Sequence, residues 1–217
     1  MLNMNFSERV VINTLEQHWV ASPGAGVKRK RLAREEAEHG HATSIVCYEP
    51  GAHFSHHDHP LGEEIFVLSG IFSDQSGDYP AGTYFRNPEG FLHAPFSEEG
   101  CEIFVKLHQF QSGDDKHVCM DTNLVEWQIG NGNLEVLSLF ELGSESVYLE
   151  RWPVGEHQSS HVHEGGEEIY VISGELIDED GRYPAGTWLR NPPMSRHSPY
   201  VERDTLLWVK IGHLGTD

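Results

Sequence analysis

The chain repeats itself at an interval of 104 residues, and that interval constrains the fold more than any other feature. Glu63-Glu64-Ile65-Phe66-Val67-Leu68-Ser69-Gly70 returns as Glu167-Glu168-Ile169-Tyr170-Val171-Ile172-Ser173-Gly174, and Tyr79-Pro80-Ala81-Gly82-Thr83 as Tyr183-Pro184-Ala185-Gly186-Thr187. Residues 51–110 align with 155–214 without a gap, and 27 of those 60 positions are identical. Solenoid repeats run roughly 20–50 residues, so a period this long makes each copy a whole domain. The polar, turn-rich stretch Gln111-Ser112-Gly113-Asp114-Asp115-Lys116 predicts a first domain at 1–112 and a second at 113–217. A domain of roughly 100 residues buries enough apolar surface to fold without disulfides or metals. Any metal here therefore has a purpose other than folding.

Each copy reads as all-β. Ile65-Phe66-Val67-Leu68 and Ile103-Phe104-Val105-Lys106-Leu107 are short apolar runs, too short for helices and closed by Gly or Pro signals. Turns recur at Glu49-Pro50-Gly51, Ser76-Gly77, Asn87-Pro88 and Asp180-Gly181. Many short strands with regular turns predict a sandwich or barrel. Leu32–His39 is the one stretch that suggests a turn of helix.

The 15 histidines are unevenly placed. The first copy reads His57-x-His59-x3-Glu63 with His93 further on, and the second reads His161-x-His163-x3-Glu167 with His197. In a strand, residues i and i+2 share a face, so His57 and His59 project together, as do His161 and His163. Glu63 and Glu167 lie an even four residues beyond, across a short turn. Three imidazoles and a carboxylate suit a borderline divalent metal such as zinc, iron, manganese, nickel or copper.

This pattern, with its flanking glycines, resembles the cupin superfamily. More narrowly, His-x-His-Glu-Gly-Gly-Glu-Glu-Ile-x-Val-x-Ser-Gly followed by Tyr-Pro-Ala-Gly-Thr and Arg-Asn-Pro is similar to the cupin-like domain of ChrR-type anti-sigma factors. The resemblance covers roughly residues 15–217. It implies two tandem jelly-roll β-barrels, a bicupin, each with a metal inside. The implied ligands are His161, His163, Glu167 and His197, matched in the first copy by His57, His59, Glu63 and His93. Zinc is the family precedent; iron or manganese suits the same donors. No counterpart is expected here of the N-terminal helical domain with which ChrR-type proteins hold a sigma factor, which would leave the signal-receiving part, duplicated.

His53 and His157 also repeat, each four residues before the first ligand, and an even offset would set them on the same face. A fifth ligand, a substrate contact, a proton carrier and a rim residue behind the site are all open. Glu64 and Glu168 should point away from the metal by alternation. Arg86 and Arg190 could meet a carboxylate substrate or an internal partner.

The net charge of −19 repels phosphate and disfavours nucleic-acid and anionic-membrane partners. The basic cluster Lys28, Arg29, Lys30, Arg31 and Arg34 is expected to be a solvated loop or strand edge, or else a docking patch for an acidic partner. Three cysteines without a CxxC spacing fit reduced thiols in the cytoplasm, with Cys47 and Cys101 as core residues. No signal peptide or apolar span is expected. Two functions stay open. One is a metal-binding sensory or regulatory protein, with a ligand or oxidant in the barrel and a protein partner. The other is a metal-dependent dioxygenase or isomerase acting on a small polar molecule. Strand edges allow a homodimer.

Overall fold

A computed structural model of the chain describes residues 1–36 and 40–215. The fold is almost wholly β, in two compact units, neither of them a continuous half. Met1–Met4 and Gln17–Leu124 form the first, and Asn5–Glu16 and Val125–Asp217 form the second. The boundary expected at 112/113 follows the repeat, whereas packing places residues 113–124 with the first unit and 5–16 with the second.

The main sheet of the first unit runs Val118–Asp121, Thr83–Asn87, Glu63–Asp74, Cys101–Leu107, Ala42–Tyr48, Val27–Arg34, Val20–Ala21. That of the second runs Val10–Asn13, Thr187–Asn191, Glu167–Ser173, Thr205–Ile211, Glu145–Trp152, Glu135–Leu142, Gln128–Ile129. Val10–Asn13 and Val118–Asp121 pair with equivalent edges, Val10 opposite Arg190 and Val118 opposite Arg86. An open edge presents unpaired N–H and C=O groups, and each added strand satisfies one such row.

Alternation sorts the strands as expected. Ile65 and Val67 face the first core with Phe72, Phe85 and Ile103, and Ile169 and Val171 face the second with Leu189 and Leu207. Glu63 and Glu167 share the parity of these apolar residues, which turns a carboxylate into each barrel. The turn before each glutamate needs glycine. Gly62 and Gly166 have φ of 76° and 72°, a conformation open to glycine at little cost. A Cβ there would lie 2.5 Å from the Phe110 ring or 2.7 Å from Leu214.

The other face holds buried polar groups. The Tyr84 hydroxyl donates to Glu64 at 2.5 Å, and the fully buried Arg86 lies 3.6 Å from Glu64 and pairs with Asp114. Arg190 donates to the Asn5 carbonyl. Both arginines and Glu64 thus serve internal contacts.

The basic cluster departs from expectation in part: Lys28 is exposed, as expected, but the rest of the cluster is not. Val27–Arg34 is an interior strand of its sheet, and Arg29, Lys30 and Arg34 are buried. Residues 32–34 of the suggested helical turn belong to this strand, and residues 37–39 lie outside the described residues. Charge runs are usually solvated; here alternation carries Arg29 to the barrel interior, while Lys30 lies over the Trp19 ring at 4.3 Å. Cys101 is buried, Cys47 half-buried and Cys119 exposed. No helix among the described residues is long and apolar enough to cross a membrane.

Candidate metal centres

Each unit gathers three histidines from two segments of chain. In the second, His161–His163 pairs with Ser195–His197, with His161 opposite His197; in the first, a bridge joins His57 and His93. The side-chain nitrogens of His57, His59 and His93 lie within 4.8 Å of one another, as do those of His161, His163 and His197. Glutamate completes each group. Glu63 oxygens are 3.4 Å from Nε2 of both His59 and His93. Glu167 is 3.4 Å from Nε2 of His163 and 3.6 Å from Nε2 of His197. All eight residues named from the sequence therefore meet, four to a site.

The donor set fits a cation. Nδ1 of His57 lies 2.8 Å from the Ser55 carbonyl, and Nδ1 of His161 lies 2.9 Å from that of Ser159. A carbonyl only accepts, so Nδ1 carries the proton and Nε2 turns a lone pair to the centre. Nε2 of His163 and Nε2 of His197 stand 3.0 Å apart. Nε2 of the buried His93 has no hydrogen-bond partner among the described residues. Converging lone pairs and an orphaned buried nitrogen are what a divalent ion would satisfy.

Burial pushes the His59 imidazole down to about 3, with help from His57 and His108. Burial also lowers His93 and His163, outweighing the attraction of Glu63 and Glu167. His197 moves the other way: burial opposes its charge, but Asp178 and Glu167 raise it above its usual value. Asp178 is itself held at about 2, its burial outweighed by His197, Tyr183, the Asp180 amide and Arg9.

Behind the candidate ligands stand residues that the sequence reading did not single out. Asn87 donates to Glu63 at 3.1 Å and Asn191 to Glu167 at 2.9 Å. Asp74 and Asp178 lie 4.0 and 3.7 Å from Nδ1 of His93 and His197. Both pairs repeat at 104 residues, and that recurrence was the available signal. His53 and His157 do not join them. Both are exposed and neither lines the cavity beside the candidate ligands of its unit. The even-offset expectation fails because the chain after each is irregular, so strand parity is not carried through to the ligands.

His57, His59 and Glu63 line a cavity of about 220 Å³ in the first unit, and His161, His163, Glu167 and His197 line one of about 360 Å³ in the second. Their walls differ. In the first, Arg29 pairs across strands with Val46, and Arg29 and Arg34 line the cavity. In the second, the matching pair is Val136 and Glu150, and Glu150 and Tyr148 line the cavity. The Trp152 indole N–H donates to Glu150 Oε2 at 2.8 Å. Burial nonetheless pushes the Glu150 carboxyl up to about 7. A search for sameness between the copies passes over Glu150, because Val46 takes its place in the first.

The structure is similar to that of a dioxygenase candidate from Nostoc punctiforme, with a TM-score of 0.80 and 16% identity over 97% of this chain and 85% of that one. It is also similar to Ylba from Escherichia coli, with a TM-score of 0.76 and 12% identity over 98% and 94%. A variant of oxalate decarboxylase from Bacillus subtilis gives a TM-score of 0.64 and 14% identity over 93% and 76%. At these identities the likeness shows the fold, that of tandem cupins. No curated protein matches the sequence. The model of the ChrR cupin-like domain matches twice, at residues 7–111 and 115–215, and the chain belongs to that family.

Proposed function

We propose that the protein is a metal-dependent enzyme whose second barrel transforms a small polar molecule, with oxygenation or isomerisation as the reaction classes. The observation that carries this reading is Glu150. Its carboxyl, held near 7 by burial, lines the same cavity as His161, His163, Glu167 and His197. A general acid or base works best with a pKa near the operating pH.

His161, His163, Glu167 and His197 would hold the ion, and a bound divalent metal supplies Lewis-acid polarisation or, when redox-active, oxygen chemistry. The chain's own contribution is separate. Trp152 fixes Glu150 Oε2, and Oε1, which makes no hydrogen bond among the described residues, is the atom that would take or return a proton. Leu134, Ile169, Leu176 and Leu207 wall the cavity and limit water. The first barrel has Val46 where this acid stands and would bind metal without the proton relay. Iron or manganese fits an oxygenase reading, and the dioxygenase candidate among the similar structures lends it support.

The test is turnover of small dicarbonyl and phenolic ketone substrates by protein purified with its metal. Glu150→Gln should retain the metal and lose about 10²–10⁴-fold in rate, the usual contribution of general acid–base catalysis. A variant as active as the parent would remove Glu150 from the mechanism. The family match favours a second reading, a zinc-bearing sensor in an oxidative or small-molecule response, working through a protein partner. Zinc at both sites, with ligand binding and no turnover, would favour it.

A further inference from the structure

The two sites differ in what stands behind their ligands, and one residue accounts for the difference. Arg9 immediately precedes the edge strand Val10–Asn13 of the second unit. Its Nε donates to Asn191 Oδ1 at 2.9 Å, and Asn191 Nδ2 donates to Glu167 Oε2 at 2.9 Å. Its Nη2 donates to Asp178 Oδ2 at 3.0 Å and to the Tyr183 hydroxyl at 2.6 Å, and that hydroxyl donates to Asp178 Oδ1 at 2.5 Å. Asp178 Oδ2 faces Nδ1 of His197 at 3.7 Å. One planar cation thus stands behind two of the four candidate ligands. A guanidinium can only donate, so it fixes the Asn191 amide with oxygen outward and NH₂ toward Glu167.

Among the described residues the first unit has no such clamp. The residue before the equivalent strand Val118–Asp121 is His117, whose ring stacks on Phe91 at 4.9 Å. Asn87 still donates to Glu63, but its buried Oδ1 has no hydrogen-bond partner among the described residues. Asp74 accepts from the Tyr79 hydroxyl and the Ser76 amide, with no arginine donating to it among the described residues.

We propose that Arg9 is a positioning residue for the second metal site, orienting Glu167 through Asn191 and His197 through Asp178. The inference rests on reading the four residues as ligands. Partners behind the ligands typically account for about 10–100-fold in metal affinity. Charge alone predicts the opposite sign, since removing a nearby positive charge favours a cation. A weaker site after Arg9 is replaced therefore reports orientation rather than Coulomb repulsion.

The experiment uses full-length protein carrying His59→Ala, which disables the first site, with zinc titrated in competition with a chromophoric chelator. Arg9→Gln should weaken zinc binding at least tenfold, and Arg9→Lys should not restore it, because an ammonium cannot span Asn191 and Asp178 in one plane. Asn191→Ala should weaken it as well, and the double variant should fall short of the product of the two single effects. In a His163→Ala background, Arg9→Gln should leave the first site unchanged within about twofold. Thermal unfolding of the metal-free variants checks that the second unit is folded. Affinity equal to or tighter than the parent's, an equal loss at the first site, or fully multiplicative single effects would overturn the proposal. A His59→Ala parent that binds no zinc would overturn the ligand reading itself, and the proposal with it.

Discussion

Replacing Asp178 with asparagine should destabilise the second unit in a pH-dependent way that the structure sets. The carboxylate side chain is 1% exposed, so solvent screening is slight. It accepts from Tyr183, Arg9 and the Asp180 and Gly181 amides. Folding lowers its pKa from 3.8 to about 2. At about 1.4 kcal/mol per unit, the ionised carboxylate contributes about 2 kcal/mol at pH 7. A depressed carboxyl contributes fully above its unfolded value, near 4, and loses that contribution as pH falls through about 2. At pH 3 roughly half remains, about 1 kcal/mol. Asparagine cannot titrate, so the gap between parent and variant should shrink from pH 7 to pH 3. In a chain of this size about 2 kcal/mol lowers Tm by about 4–8 °C. The assay is urea unfolding of chelator-treated protein followed by tryptophan fluorescence. Of the five tryptophans, Trp127, Trp152, Trp188 and Trp208 lie in the second unit. A gap equal at both pH values, or below about 0.5 kcal/mol at pH 7, would refute the reasoning.

Other outcomes are equally specific. Acidification should empty the second site before the first, since imidazoles must be neutral to ligate and His197 is raised while His59 is pushed down to about 3; metal release followed by pH titration of the two single-site variants checks the order. His163→Ala should remove one metal per chain and leave the other, and loss of both on elemental analysis would contradict two independent sites. Gly166→Ala should cost about 1–3 kcal/mol, because φ is 72° and the added Cβ meets Leu214; an unchanged urea midpoint would show that the turn relaxes freely.

Recurrence made the candidate metal centres legible in the sequence. His57, His59, Glu63, His93 and their partners are found because strand parity and a 104-residue period act on the same residues. What recurrence cannot show is difference. Glu150 faces the second cavity where Val46 faces the first, and Arg9 stands where the first unit has His117. Neither is marked by repetition, and Arg9 reaches its site only through a strand pairing 180 residues distant in sequence, Val10 with Arg190. The domain boundary at 112/113 suffered from the same blindness, because the exchanged edge strands lie outside the aligned segments. His53 and His157 show the converse. They repeat, yet irregular chain beyond each breaks the parity that would have turned them inward.

The central claim is that each barrel holds one metal ion on three histidines and a glutamate. Elemental analysis of untagged protein, purified without chelator and without oxygen, tests it most directly. Two metal ions per chain are expected, falling to one in either His59→Ala or His163→Ala and to none in the double variant. A parent chain that carries no metal and takes up none on dialysis against zinc, iron or manganese would contradict it.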